Sequence, residues 1–302
     1  MIKLLICDLD NTLYDWVGFF VPAFDAMVDE LADATGVSEE KLLDSFRRVH
    51  QRHGTSEYAL AVAELDVLAE VDASLDVRER LEKHSAALSA FRECRRRGLH
   101  LYPDVRRTLE ALRDAEMAIV AHTDAMGIYA RTRLRQLGIE HLFDGVWALS
   151  DHELPVELHH DEVRRLLEVE PESSRQLVGR DVSAAESKPN PAVVFEILRS
   201  FGAAPGEALY IGDSLTKDVL VAQRAGVVDV YAAYGRAHER AQYQRLVDIT
   251  HWTEADVRRE RELREHDVQP THVVERFSDI LHIVADLDPN ALAGRRSTTR
   301  VG

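Results

Sequence analysis

Cysteine is scarce in this 302-residue sequence, which contains only Cys7 and Cys94. Two thiols cannot build the disulfide framework of a small secreted protein, so a reducing compartment fits the composition. Long apolar runs are also missing, since no stretch approaches the roughly 18 apolar residues that a membrane-spanning helix requires. The apolar run at the N-terminus breaks at Asp8, too early for a signal peptide. These absences predict a soluble, cytoplasmic protein.

The sequence also contains fewer basic than acidic residues. The chain carries 37 lysines and arginines against 53 aspartates and glutamates, a formal net charge of -16. Such a chain is poorly suited to bind a nucleic-acid polymer or an anionic membrane by nonspecific electrostatics. A local basic pocket for a small anion is compatible with this balance. A homo-oligomer is compatible with the sequence as well, although no feature specifies one.

The first predicted strand ends in two acids. Residues 2–7 are apolar apart from Lys3, which is typical of a buried parallel strand. Asp8 and Asp10 follow directly. Carboxylates at the end of a central strand must be hydrogen-bonded, paired or metal-bound, because an isolated buried charge is too costly. The simplest interpretation is a hard cation at this point, with one acid as a nucleophile and the other handling protons.

A helical pattern occupies the chain from Trp16 to about Gly98. Phe20 and Phe24 begin an apolar face with three- and four-residue spacing, and a last helix is predicted over Leu75–Arg97. We therefore predict an all-helical insert at residues 15–98, with about four helices.

Beyond the insert, short apolar strands alternate with amphipathic helices. The predicted strands are Met117–Ala121, Gly145–Leu149, Ala208–Ile211 and Val228–Ala232, with a final edge strand at Thr271–Val274. One helix is predicted to begin near Pro103. Three further helices are predicted over Gly127–Leu137, Ala192–Phe201 and Thr216–Ala225. Strands separated by such helices imply right-handed crossovers and a parallel sheet. The predicted fold is α/β: a Rossmann-like parallel sheet with helices on both faces, plus the inserted helical cap.

The predicted core comprises residues 1–14 and 99–290. Within it, residues 151–187 and 236–269 form two long, charged extra connections, the first with one short helix near Val163. Residues 291–302 are small, polar and basic, which predicts a disordered tail. His159 and His160 have no matching ligand set for zinc and are interpreted as surface residues.

Four groups of polar residues fall at strand ends or before helices. They are Asp8 and Asp10, then Thr123, then Lys188, and finally Asp213 and Asp218 in the stretch Gly212-Asp213-Ser214-Leu215-Thr216-Lys217-Asp218. In order and position this set resembles the haloacid dehalogenase-like (HAD) superfamily of phosphohydrolases. The resemblance covers roughly residues 1–14 and 99–235, with the insert where that superfamily places a helical cap.

The resemblance implies a phosphatase that acts through an aspartyl phosphate. Asp8 becomes the nucleophile, and Asp10 protonates the leaving oxygen and then deprotonates the attacking water. Thr123 and Lys188 bind the phosphoryl oxygens. Asp8, Asp213 and the backbone carbonyl of Asp10 hold Mg²⁺. Asp218 supports the site, either next to the metal ligands or by orienting Lys188.

The implied function is a Mg²⁺-dependent phosphatase for a small cytosolic phosphate monoester, such as a nucleotide, a sugar phosphate or phosphoglycolate. A phosphotransferase or phosphomutase could use the same site, and a non-catalytic phosphate-binding module is the alternative from another class. Dehalogenases of the superfamily lack the second acid, so Asp10 argues against carbon-halogen cleavage. Arg52 and His53 lie near the end of a cap helix and are candidates for substrate selection, although a solvated helix end is the favoured explanation of these residues.

Overall fold

The computed structural model describes residues 1–151, 177–236, 242–251, 258, 262 and 268–292. The predictions for Val163, His159, His160 and most of the C-terminal tail fall outside these residues.

The described residues form one parallel sheet of seven strands in the order β4-β3-β2-β1-β5-β6-β7. The strands are β1 (Leu4–Cys7), β2 (Ala118–Met126), β3 (Gly145–Leu149), β4 (Asp181–Val182), β5 (Ala208–Gly212), β6 (Val228–Ala232) and β7 (His272–Val274). Because β1 lies between β2 and β5, the strand order reverses on either side of it. The crevice at the carboxyl end of β1 is therefore the topological switch point, where open α/β sheets bind ligands.

The sheet buries both of its faces. Leu5 and Cys7 of β1 belong to a large apolar core on one face, and Leu4 and Ile6 belong to a second core on the other. This alternation follows from the two-residue period of a strand. The helices that complete the two layers are α6 (Val105–Asp114), α7 (Gly127–Gln136), α8 (Ala192–Ser200), α9 (Leu220–Ala225) and α11 (Ile280–Leu287), whereas α10 (Tyr243–Ile249) packs against the helical insert.

A layer of helices lies between β1 and α6 in the chain. It contains α1 (Trp16–Thr35), α2 (Glu39–His53), α3 (Asp66–Val71), α4 (Val77–Lys83) and α5 (Ser85–Gly98). The Asp15 carboxylate accepts a hydrogen bond from the backbone N–H of Gly18 at 2.8 Å and so caps the start of α1. Within the described residues, no helix combines the length and apolarity needed to cross a lipid bilayer.

The predicted fold class is confirmed: a parallel α/β sheet with an all-helical insert after its first strand. The prediction of one helix over Leu75–Arg97 is wrong, because the chain breaks into α4 and α5 at His84. The buried His84 ring is bound to the Asp72 carboxylate at 2.9 Å.

In the core, the start of one helix, the length of one strand and the presence of another strand also differ from the sequence prediction. The helix expected to begin near Pro103 begins at Val105. Strand β2 extends five residues beyond the predicted end at Ala121, with an irregular register against β3 between His122 and Met126. The short strand β4 lies in a segment predicted as a connection.

Candidate active site

Asp8 lies at the carboxyl end of β1, where its backbone N–H continues the strand ladder by donating to the carbonyl of Ile211 at 2.9 Å. Its side chain is buried, and both carboxylate oxygens accept hydrogen bonds. Lys188 Nζ donates to Oδ1 at 2.5 Å, and Thr12 Oγ1 donates to Oδ2 at 3.2 Å. These contacts fix the direction of a carboxylate at the edge of the sheet, as a nucleophile requires.

Lys188 is held in place by hydrogen bonds beyond the one to Asp8. Its ammonium also donates to Asp218 Oδ1 at 2.8 Å, and its backbone N–H donates to Asp124 Oδ1 at 3.2 Å. The ammonium is buried and lies 5.8 Å from the ring centroid of Tyr210. A buried cation thus lies beside the candidate nucleophile, where phosphoryl oxygens would need charge neutralisation.

Three carboxylates meet beside this lysine. Asp8, Asp213 and Asp218 each offer an oxygen within 4.8 Å of the others. Asp218 is already engaged through both oxygens, since Oδ2 accepts from the backbone N–H of Ser214 at 3.0 Å. The Asp213 carboxylate receives no hydrogen bond from any residue that the structure describes.

The pKa values of these acids reflect an excess of buried negative charge. Burial raises the pKa of Asp8 to about 7, although Lys188 opposes the shift. Burial also holds the pKa of Asp213 well above its usual range, and the nearby Asp218 and Asp8 add to the effect. One lysine does not neutralise three carboxylates, and a set of carboxylate oxygens fits a hard divalent cation.

Two glycines allow the backbone to close around the acids. A Cβ atom on Gly212 would lie 2.2 Å from Cγ of Asp218. A Cβ atom on Gly235 would lie 2.0 Å from the carbonyl oxygen of Asn11 and 2.8 Å from Cβ of Asp213. Both approaches are too close for any side chain, so the glycine of the Gly212-Asp213 pair leaves room for Asp218.

Asp10 lies in a network that the sequence analysis missed. Arg133 of α7 donates from Nη1 to Asp10 Oδ1 at 3.0 Å, and its Nη2 donates to Glu57 of the insert. The guanidinium is buried and lies 5.4 Å from the ring centroid of Phe19. No local pattern reveals this network, because its members are far apart in the chain and meet only after folding.

Thr123 lies at the same edge of the sheet as Asp8. Ala121 pairs with Cys7 at the end of β1, so Thr123 follows the part of β2 that pairs with β1. Its side chain is buried, and its hydroxyl oxygen accepts from the backbone N–H of Ala125 at 3.0 Å.

Arg52 and His53 lie in a cluster within the insert. Both contact Glu64 Oε2, Arg52 through Nη1 at 3.0 Å and His53 through Nε2 at 2.8 Å. Tyr58 donates to the other oxygen of Glu64 at 2.7 Å and stacks on His53. These contacts give both residues a place in the packing of the insert, and their role in substrate selection stays a prediction.

Two protein-family models match this chain. A family model described as haloacid dehalogenase-like hydrolase matches residues 2–226, and a second HAD-like hydrolase model matches residues 186–280. Among curated relatives, glyceraldehyde 3-phosphate phosphatase of Methanopyrus kandleri is 28% identical over 239 residues, covering 78% of this chain and 86% of its own. Phosphoglycolate phosphatase of Pseudomonas syringae pv. syringae is 25% identical over 240 residues, covering 79% of this chain and 72% of its own.

A solved structure supports the fold. The 2-haloacid dehalogenase of Pseudomonas syringae pv. tomato DC3000 superposes with a TM-score of 0.56 at 20% identity, covering 95% of this chain and 99% of its own. Because the first of these family models matches most of the chain, the chain belongs to the haloacid dehalogenase-like hydrolase family.

Proposed function

We propose that the protein is a Mg²⁺-dependent phosphatase that hydrolyses a small cytosolic phosphate monoester through an aspartyl phosphate on Asp8. The observation that carries this proposal is the Asp8 carboxylate itself. It is buried at the strand edge, is held by Lys188 at 2.5 Å, and lies beside Asp213 and Asp218. An anionic nucleophile can approach a phosphate dianion only where cations neutralise the phosphoryl oxygens.

The two chemical steps divide between Asp8 and Asp10. In the first, an Asp8 oxygen forms a bond to phosphorus, the bond to the leaving oxygen breaks, and Asp10 donates a proton to that oxygen. In the second, Asp10 takes a proton from water, the water oxygen attacks phosphorus, and the bond to Asp8 breaks. Lys188 and Thr123 bind the phosphoryl oxygens during both steps. Arg133 orients the Asp10 carboxylate through their 3.0 Å contact.

Mg²⁺ fits the oxygen atoms that this site offers as metal ligands. Asp8, Asp213 and the backbone carbonyl of Asp10 would hold the ion, which supplies positive charge that neutralises the phosphoryl oxygens. Asp213 is the carboxylate without a described hydrogen-bond donor, which favours it as a ligand. Asp218 already accepts from Lys188 and Ser214, which favours a role in orienting the lysine.

The substrate is proposed to be a small metabolite. The curated relatives are named for glyceraldehyde 3-phosphate and for phosphoglycolate, and both are phosphate monoesters with short leaving groups. These names support the size of the substrate, while its chemical identity depends on the insert of this chain.

Phosphate release is the direct test of the proposal. Nucleotides, sugar phosphates, phosphoglycolate and an aryl phosphate should be assayed with and without Mg²⁺, and Asp8→Asn should abolish release from all of them. Asp29→Asn, on the exposed side of α1, is the matched control and should remain active. Phosphate binding without turnover would instead indicate a binding module, and transfer to an added alcohol would indicate a phosphotransferase.

A further inference from the structure

A cavity of about 70 Å³ lies between helices of the insert and α7. Its walls are mainly aromatic, formed by Phe20, Phe24, Phe46, Tyr58, Phe91 and Tyr129. An apolar cavity of about 150 Å³ holds a benzene ring, so this one has room for about three carbon atoms. Its walls and size suit a short apolar group.

The cavity adjoins the network around Asp10. Glu57 and Tyr129 line it, and both contact Arg133: Glu57 accepts a hydrogen bond from Nη2, and the Tyr129 ring centroid lies 5.7 Å from the guanidinium. The same guanidinium holds Asp10. The cavity therefore neighbours Asp10 through Arg133, whose guanidinium contacts both the cavity wall and the Asp10 carboxylate.

Most polar groups in the cavity wall are already engaged inside the protein. Ser56 Oγ is hydrogen-bonded to Thr250 Oγ1 at 2.9 Å, and the Tyr58 hydroxyl donates to Glu64 at 2.7 Å. His50 contacts the carbonyl of Ile249 at 2.6 Å through Nδ1. A sugar with several hydroxyl groups would find few partners here, and desolvating those hydroxyls without partners is costly.

Arg95 is the exception in this wall. Its guanidinium lies 5.8 Å from the ring centroid of Phe91, and within the described part of the chain no acceptor forms a hydrogen bond or ion pair with it. Burial, with Arg133 nearby, lowers the pKa of Arg95 from its ordinary value. A cation in this position would gain from an anionic partner, and a carboxylate matches the geometry of a guanidinium best.

On the basis of the proposed function, we infer that the cavity selects phosphate monoesters whose leaving group has a short apolar body and ends in a carboxylate, with Arg95 binding that carboxylate. The aromatic walls take the methylene groups, and Arg95 distinguishes an anionic end from a neutral or cationic one. Arg95 is then a specificity residue of this phosphatase, remote from the phosphoryl group.

Three esters with the same chain length test the inference: 3-carboxypropyl, propyl and 3-aminopropyl phosphate. The wild-type protein with Mg²⁺ should prefer the carboxypropyl over the propyl ester about tenfold or more in kcat/KM, the worth of one charge-assisted hydrogen bond. The aminopropyl ester should be poorest. Arg95→Ala should bring the carboxypropyl-to-propyl ratio close to one, and Arg95→Lys should retain part of it. Arg97→Ala, an exposed arginine on the same helix, should keep the wild-type ratio.

Binding separates this inference from the proposed function. Calorimetry on Asp8→Asn, which cannot form the phosphoenzyme, should show tighter binding of the carboxypropyl ester than of the propyl ester, and Arg95→Ala in that background should remove the difference. Such binding with no hydrolysis by the wild type would overturn the phosphatase proposal and leave the recognition inference intact. Hydrolysis of both esters at equal kcat/KM, or a preference that survives Arg95→Ala, would overturn the inference.

Discussion

Acidic side chains are held in opposite ways in the helical insert and at the carboxyl edge of the sheet. In the insert, Asp66 and Asp72 each accept hydrogen bonds from donors of their own. Hydrogen bonds from Arg48 and Ser45 lower the pKa of Asp66 to about 2. The hydrogen bond from Lys83 lowers the pKa of Asp72 even though its side chain is buried. Paired acids of this kind stabilise the folded insert at neutral pH.

At the edge of the sheet the balance is reversed. Asp8, Asp213 and Asp218 converge on a single ammonium group, that of Lys188, and burial raises the pKa values of Asp8 and Asp213. Collecting carboxylates in this way costs folding free energy, and such perturbed groups concentrate at functional sites. This difference separates the acids that stabilise the fold from the acids that take part in catalysis. Each prediction below tests that separation.

Removal of the divalent cation should have the largest effect. In excess chelator, turnover should fall to background on every substrate, because the edge carboxylates and the substrate dianion then repel one another. Ca²⁺ should substitute poorly, since its larger coordination shell invites both Asp8 oxygens to bind. Phosphate release assays measure both effects, and full activity in chelator would contradict the assignment.

Mg²⁺ should stabilise the folded protein only by binding the carboxylates at the carboxyl edge of the sheet. Mg²⁺ at a hundred times its Kd should add about 2.7 kcal/mol to the free energy of unfolding. Asp213→Asn should weaken this gain, whereas Asp66→Asn in the insert should keep it. Thermal melts with and without Mg²⁺ compare the two variants, and equal losses would break the division between the regions.

Arg133 bridges the two regions, since it donates to Asp10 at the edge of the sheet and to Glu57 of the insert. Arg133→Met leaves the largely buried Glu57 without its cation, so we expect a loss of about 3–5 kcal/mol in unfolding free energy. Adding Glu57→Gln should recover part of that loss, and denaturant titrations of the single and double variants measure the coupling. Arg131→Met, on the same helix, is the control. Additive effects of the two changes would contradict a Glu57–Arg133 pair.

His50 should make the stability of the protein depend on pH. Burial lowers the pKa of His50 to about 4, from an ordinary value of 6.5. Between those values the unfolded chain binds a proton that the folded chain excludes, so stability falls as the pH drops from 6.5 towards 4. The shift corresponds to about 3 kcal/mol. Relative to His50→Asn, which keeps a donor for the Ile249 carbonyl, the wild type should lose that amount, and parallel pH curves would contradict it.

The smallest effect is expected at the contact between α10 and the insert. Arg245 donates from Nε to Asp25 at 2.7 Å and from Nη2 to Glu39 at 2.5 Å. These pairs are partly exposed, so Arg245→Ala should lower the unfolding free energy by about 1 kcal/mol or less. Lys41→Ala is the exposed control. A loss of several kcal/mol in Arg245→Ala would contradict the prediction, because it would show that the contact between α10 and the insert contributes far more stability than partly exposed ion pairs supply.

The edge of the sheet could be predicted from sequence because it depends on strand ends. Strand β6 has the predicted bounds, and the ends of β1 and β5 bring Asp8 and Asp213 together once the strands are parallel. Each acid directly follows an apolar run, so the local pattern contains the information needed.

The insert and the Asp10 network could not be predicted in the same way. At the break between α4 and α5, His84 contacts Asp72, which is 12 residues away. Arg133 meets Asp10 across 123 residues and Glu57 across 76. Contacts of this range leave no periodic signal, because they are set by how the helices pack.

Rapid-quench kinetics of Asp8→Asn and Asp10→Asn test the central claim, that Asp8 carries the phosphoryl group and Asp10 the protons. With an aryl phosphate, whose leaving oxygen needs little protonation, Asp10→Asn should release a burst of one product per site and accumulate a hydroxylamine-sensitive acyl phosphate, because attack by water lacks its base. With an alkyl phosphate the burst should nearly vanish. Asp8→Asn should give no burst with either substrate. A burst from Asp8→Asn, or identical behaviour of the two variants, would contradict the account.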